Sequence, residues 1–215
     1  MDFSIKSCVR FGWDTFWKRP WFFGLVFLVI GILSGNYGYQ TSSTDFRITP
    51  ELVMLLIVAG VVGTVIHTLV GMGRTNLLLK AHDNAEAVSW RDLWSPSPFW
   101  KYFLTSLAYG LIVVAGFILL IVPGIIWSIK YMFAPYLVMD RTLGVREALR
   151  ESARITSVRK WDLFLLGLVL GLINILGLLC LVIGLLVTVP VTYLAVAHAY
   201  RILEHTAGEM TPAAA

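Results

Sequence analysis

Charge is scarce in this sequence. Only 14% of its 215 residues are Asp, Glu, Lys or Arg, where a soluble domain carries roughly a quarter. That shortage excludes an ordinary water-facing globule. Cysteine is scarcer still, with Cys8 and Cys180 alone. A disulfide scaffold is excluded, and no bridge is expected between a thiol beside the reducing cytoplasm and one in or near lipid. Enzyme signatures are missing too. There is no G-x-S-x-G, H-E-x-x-H, paired Cys-x-x-Cys or P-loop, so no catalytic residue, metal or cofactor is expected. No acidic residue falls inside an apolar run, so no buried ion pair is legible.

What the chain has in excess is apolar surface. Hydrophobic residues make up 58% and the mean hydropathy is +0.78. A core of this size cannot hide that much, so the surplus must face lipid. Eight Trp, eight Tyr and twelve Phe suit aromatic belts at two interfaces. The reading is an all-α, polytopic membrane helical bundle of about six spans. They fall near 20–37, 51–72, 101–121, 125–139, 161–178 and 181–203. One membrane domain covers 1–205, and 206–215 form a flexible tail. A secretory signal at Trp21–Ser34 is the weaker reading, because its basic lead is long and its cleavage pattern poor.

Between the spans lie amphipathic stretches. In 3–18, Lys6, Arg10, Asp14 and Lys18 recur every fourth residue against Ile5, Val9, Gly12, Trp13 and Phe16, which predicts an interfacial helix. Residues 36–50 read as a polar outer loop, and 74–100 as a wet segment with Trp90 and Trp94. Residues 143–157 predict a second interfacial helix. Its narrow apolar stripe is Val145, Ala148, Leu149 and Ala153. Arg146, Arg150 and Arg154 share another face, with Glu147 and Glu151 placed to pair at i+3.

The basic residues give orientation. Of 17 Lys and Arg, fifteen lie on one side of the six-span map, Arg47 alone lies in the opposite loops and Lys130 lies within a span. Such a split places both termini in the cytoplasm. The modest +4 charge then reflects topology, and nucleic acid is not an expected partner.

A few residues invite function. Lys130, near the middle of the fourth run, is either an anion site or a lysine that snorkels out. Arg146, Arg150 and Arg154 are candidate contacts for anionic lipid. His67 and His198 are candidates for a proton path or a metal pair, although lone histidines are the simpler account. Asn174 suits a bond to a neighbouring helix. Gly71-Met72-Gly73-Arg74 reads as helix termination before it reads as a phosphate cradle. Helix packing is expected at Gly63, Gly110, Gly167 and Gly171, in the pairs Ala59-x-x-x-Gly63, Ser106-x-x-x-Gly110 and Gly167-x-x-x-Gly171. Pro123 and Gly124 predict a tight turn, and Pro135 and Pro190 predict interrupted helices.

Ile121-Val122-Pro123-Gly124-Ile125-Ile126, then Phe133-Ala134-Pro135-Tyr136, form a signature. With Leu143–Ile155, Gly184, Pro190 and Ala199-Tyr200-Arg201, the chain resembles the bacterial YciC-like and glycerophosphoryl diester phosphodiesterase membrane-domain families. Phe11-Gly12-Trp13 resembles their opening helix. The resemblance implies a six-span helical protein of the bacterial inner membrane. It implies no phosphodiesterase activity, since the enzyme there is a separate soluble barrel for which no chain remains.

Two functions are open on these residues. One is a non-enzymatic protein that engages membrane lipids, as an organiser or an accessory subunit beside a membrane-protein partner or a second copy. The other is a small-molecule or lipid transporter with a pathway near Lys130. A cysteine placed at position 43 should react from outside the cell, and cysteines at 88 and 156 should not. The reverse pattern would overturn the topology.

Overall fold

The structure is a computed structural model and describes residues 3–34, 50–94, 98–179 and 184–209. The polar loop at 36–49, the Ser95-Pro96-Ser97 break, Cys180 and the last tail residues lie outside them. Among the described residues the fold is entirely helical, with no strand.

Helix α1 (Ile5–Lys18) leads into α2 (Pro20–Ser34), whose first residue is proline, a position where the missing N–H costs nothing. Helix α3 covers Pro50–Asp83, α4 Phe99–Leu119, α5 Ile121–Tyr131 and α6 Ala134–Arg141. Helix α7 (Val145–Ser157) precedes α8 (Lys160–Leu179) and α9 (Leu185–Glu209). Among the described residues five helical segments are long and apolar enough to cross a membrane: Val58–Asp83, Phe99–Leu119, Ile121–Arg141, Lys160–Leu179 and Leu185–Gly208. The apolar stretch Pro20–Gly31 is shorter.

Packing is uneven along the bundle. In α3 every described side chain from Met54 to His67 is exposed, and the buried positions run from Thr68 to Ala81. The core therefore gathers at one end, with Met72, Leu77, Leu78, Phe133, Leu137, Leu194, Tyr200 and Leu203. We call this the basic end, because α1, α7 and most of the described Lys and Arg collect there. The other end presents apolar side chains outward, as Leu111, Ile118, Leu172 and Leu176 do. Side chains of this kind are stable there only against lipid or another apolar surface.

Several expected boundaries move. The segment after 74 is not a wet linker: α3 continues to Asp83, because Leu77, Leu78 and Ala81 bury against the core. A short 3-10 turn, Trp90–Leu93, folds back on it. Asn76 Nδ2 donates to the Asp92 carbonyl at 2.9 Å, and Lys80 pairs with the Asp92 carboxylate at 2.5 Å. The tail also stays helical to Glu209, since Arg141 holds Glu204 and Arg154 Nη1 donates to the Ala207 carbonyl.

The tight turn lies at Leu120, not at Pro123-Gly124. Leu120 is extended (φ −168°, ψ 155°), and its N–H closes on the Gly116 carbonyl at 3.0 Å. Pro123 and Gly124 sit in the first turn of α5, where proline removes no needed donor. Gly124 matters by its size: a Cβ there would meet the Phe117 ring at 2.6 Å. Pro135 follows a real break, the turn at Met132–Phe133, and occupies the start of α6. Pro190 interrupts nothing, for α9 runs through it.

The glycines expected at helix contacts are a correction. A Cβ added to Gly63, Gly110, Gly167 or Gly171 would meet nothing within 4 Å. Close approach occurs elsewhere. On Gly12 a Cβ would meet the Val191 carbonyl oxygen at 2.5 Å and the Ala195 nitrogen at 3.1 Å. Gly184 and Gly177 approach likewise, with Gly177 Cα 2.7 Å from a Cβ on Gly184. Spacing alone marks small residues but not the face they occupy, and here the spaced ones face outward. The Gly12 contact also corrects the reading of α1. Rather than only lying on a surface, α1 docks on α9 through the buried Cys8, Gly12, Thr15 and Phe16, leaving Trp13 and Trp17 exposed. Burial pushes the Cys8 thiol up to about 11.

Gly12→Leu should therefore destabilise the fold by about 1–3 kcal/mol, the usual cost of overpacking. Gly171→Leu should leave the detergent melting temperature unchanged. Equal melting temperatures for the two variants would refute the assignment of faces.

Candidate lipid-facing site

Helix α5 carries Val122, Ile125, Ile126 and Ile129 at i, i+3, i+4 and i+7, so they form one stripe. The first two turns of α8 bring Lys160, Trp161 and Phe164 beside that stripe, and a cavity of about 420 Å³ lies between them. A second cavity of about 260 Å³ shares Ile125, Ile129 and Phe164 and continues past Tyr109, Ser128 and Gly167. The two make one furrow between α4–α5 and α8. Gly167 keeps it open, since no atom fills the space beside it.

The polar groups of the furrow are committed within the chain. Tyr109 donates its hydroxyl to the Ser128 carbonyl at 3.3 Å, and Ser128 Oγ donates to the Ile125 carbonyl at 2.8 Å. What remains for a ligand is apolar wall. At the rim Asp162 is held by Arg159 at 3.2 Å. Lys160 is exposed with no ion pair among the described residues, next to Trp161, itself 78% exposed. An apolar slot ending in an ammonium and an indole fits an amphiphile with an anionic head.

Lys130 lines neither cavity. It lies in the last turn of α5, near the middle of the candidate span Ile121–Arg141, with its ammonium 5.2 Å from the Tyr131 ring centroid. Its carbonyl is the informative atom. The break at Met132–Phe133 ends the α5 ladder, and Ser152 Oγ and Thr156 Oγ1 donate to that carbonyl at 3.0 and 3.1 Å. Hence the buried face of α7 is Ala148, Ser152, Ile155 and Thr156; of the expected stripe Val145, Ala148, Leu149 and Ala153, Ala148 alone is fully buried and the other three are partly so.

The arginine stripe of α7 is divided. Arg154 makes a two-pronged bond to Glu151, at 2.9 and 2.6 Å, besides its bond to the Ala207 carbonyl. Arg146 and Arg150 stay exposed. Glu147 does not pair with Arg150; it accepts the Gly144 N–H at 3.1 Å, as a helix N-terminus favours.

Beyond α7 the basic end holds an ion network that linear spacing does not show. Arg201 reaches Asp140 at 3.0 Å, Glu204 at 3.2 Å and Asp83 at 3.4 Å. Arg141 joins Glu204 at 2.7 Å and Glu151 at 3.8 Å, while Tyr200 donates to Asp140 at 3.0 Å. The network ties together α3, α6, α7 and α9. An open cavity of about 440 Å³ borders Arg141, Arg201 and Glu204, but those arginines are already answered by carboxylates. This arrangement holds helices together and offers little to an anion.

His198 pairs with His82, not with His67. His82 Nε2 and His198 Nδ1 are 2.9 Å apart, and Phe11 stacks on His198 at 4.2 Å. His67 is exposed. Reading 74–100 as wet hid this pair, because His82 meets His198 only if α3 continues. Among the described residues no three His, Cys, Asp or Glu are grouped to hold a metal. Asn174 does bond a neighbouring helix, donating to Thr192 Oγ1 at 2.9 Å. No family model, curated protein or solved structure matches the chain.

Removing the charge of Arg201 leaves Asp140, Glu204 and Asp83 facing one another. Arg201→Gln should cost about 1–3 kcal/mol of stability and loosen the end of α9. Hydrogen exchange at 202–208 that matches the parent protein would refute this role.

Proposed function

We propose that this chain engages membrane lipids without catalysing a reaction, as a bilayer organiser or an accessory subunit of a bacterial cytoplasmic membrane. In this reading both termini and the basic end face the cytoplasm, which agrees with fifteen of 17 Lys and Arg on one side. Membership of the YciC-like and phosphodiesterase membrane-domain families belongs to the same proposal and rests on the quoted residues.

The furrow between α5 and α8 carries the reading. Its walls are apolar, its polar groups are committed within the chain, and its rim offers Lys160 and Trp161. An acyl chain gains by filling such a slot, since an unfilled groove loses dispersion contacts on one side. A phosphate above it is attracted by the ammonium. Arg146 and Arg150, exposed on α7, would add about 1 kcal/mol each toward an anionic leaflet. The transporter reading needs a route past Lys130, and the α5–α8 furrow does not include that residue.

The test is native mass spectrometry of protein extracted in mild detergent. The parent should retain about one phospholipid, with phosphatidylglycerol kept over phosphatidylcholine. Ile125→Trp with Lys160→Gln should lose it, with affinity falling about tenfold or more, while the melting temperature holds. A variant that keeps the same lipid at the same occupancy would sink the proposal.

A further inference from the structure

Arg74 is a cation that the fold draws inward without an acid. It lies on α3, inside the candidate span Val58–Asp83, and is half-buried. Around it the fold treats arginines differently. Arg201, Arg141 and Arg154 each have carboxylates, and Arg19 donates to the carbonyls of Glu86 and Val88 at 3.0 and 2.8 Å. Among the described residues no carboxylate pairs with Arg74. Its neighbours are phenols. Nη1 donates to the Tyr193 hydroxyl at 2.9 Å, and the guanidinium carbon lies 4.4 Å from that ring's centroid. Phe27 of α2 stacks on the same ring at 5.5 Å and holds it in place. Tyr136 of α6 is within electrostatic reach of both Arg74 and Tyr193.

A half-buried charge without a counter-charge is costly, and natural folds pair or hydrate such groups. A guanidinium has five N–H donors and no acceptor. Here one donor meets a phenol. Among the described residues the sealed, unpartnered side-chain polar atoms are Thr105 Oγ1, Asn174 Oδ1, Thr188 Oγ1 and Arg201 Nε. No Arg74 nitrogen is among them, so its remaining donors are not sealed away unpartnered as those atoms are. The Tyr193 oxygen accepts from Arg74, which leaves its own hydrogen free to point at the same guest. Helices α3 and α9 thus supply a positive charge and a phenol donor, with Tyr136 of α6 close by and no acid to compete.

The geometry points to an oxyanion site at Arg74 and Tyr193, suited to a phosphate group carried by a lipid or free in solution. The planar fork of arginine matches two phosphate oxygens at once, and a phenol hydroxyl supplies a third donor. The site is separate from the α5–α8 furrow, and either can fail without the other.

The test uses the full chain in uncharged detergent at constant ionic strength. Thermal unfolding is followed while inorganic phosphate, phosphatidic acid or phosphatidylcholine is added. Phosphatidylcholine neutralises its phosphate within its own headgroup and serves as the comparison. Phosphatidic acid should raise the melting temperature of the parent and phosphatidylcholine should not. A matching rise with inorganic phosphate assigns the site to a free oxyanion, and a rise with phosphatidic acid alone assigns it to a lipid head. Arg74→Gln should weaken binding about tenfold or more, and Tyr193→Phe by a smaller factor. Lys160→Gln should leave the shift intact; if it removes the shift, the anion sits at the furrow and the proposal fails. It fails equally if the parent responds to neither phosphate nor phosphatidic acid, or if Arg74→Gln responds as the parent does. Should Arg74→Gln not fold, Tyr193→Phe decides, and affinity equal to the parent's overturns the site.

Discussion

A break in a helix within an apolar segment leaves carbonyls that lipid cannot satisfy. The segment Ile121–Arg141 breaks at Met132–Phe133, and the Lys130 carbonyl there is met by the hydroxyls of Ser152 and Thr156. Much of the basic end follows from that requirement. To deliver two hydroxyls, α7 must press its Ala148–Ser152–Ile155 face into the bundle, where small side chains allow close approach. Its outer face then presents Glu151 and Arg154 toward Arg141 and the end of α9. The end of α9 in turn sets Arg201 among Asp83, Asp140 and Glu204. A break that would be a defect in an isolated helix becomes the point to which α7 is fastened, and α7 in turn joins the ion network that links α3, α6 and α9.

The bundle is consequently tight at one end and loose at the other. Polar locks, ion pairs and the largest buried side chains share the basic end. The far halves of α3, α4 and α8 carry Val58, Val62, Leu111, Ile118, Leu172 and Leu176 outward. In the Lys160–Leu179 segment only 22% of the most apolar window is buried, at a mean hydropathy of 2.3. Between apolar helices and apolar chains the hydrophobic effect supplies no drive to close, so small gaps persist unless shape or hydrogen bonding removes them. The α5–α8 furrow is a gap of that kind, held open where Gly167 contributes no side chain.

Charge is sorted just as unevenly. Arginines that tie helices together are matched by carboxylates and have little left for a ligand. Among the described residues that no acid answers are Arg74 beside Tyr193, Arg146 and Arg150 on the open face of α7, and Lys160 at the furrow rim. They are where an anionic lipid or phosphate finds uncompensated charge. A basic stripe read from spacing alone cannot separate the two classes, because the partner acid sits on another helix.

The apolar runs, the shortage of charge and the one-sided basic residues determined a great deal without coordinates. They specify helices, their approximate positions and the amphipathic character of α1 and α7, because lipid imposes length and composition on each segment independently. Asn174 was legible as a helix-to-helix donor for the same reason: a lone amide in an apolar run has few other uses. Partnership was not legible. Gly167 and Gly171 look like packing residues, yet they face open space, while Gly12 meets α9 and Gly116 lies against Gly124. His198 finds His82 because α3 continues past Arg74, an extension set by burial of Leu77, Leu78 and Ala81 rather than by any local signal. Periodicity names the residues that share a face; only the arrangement of the helices in space decides what that face meets.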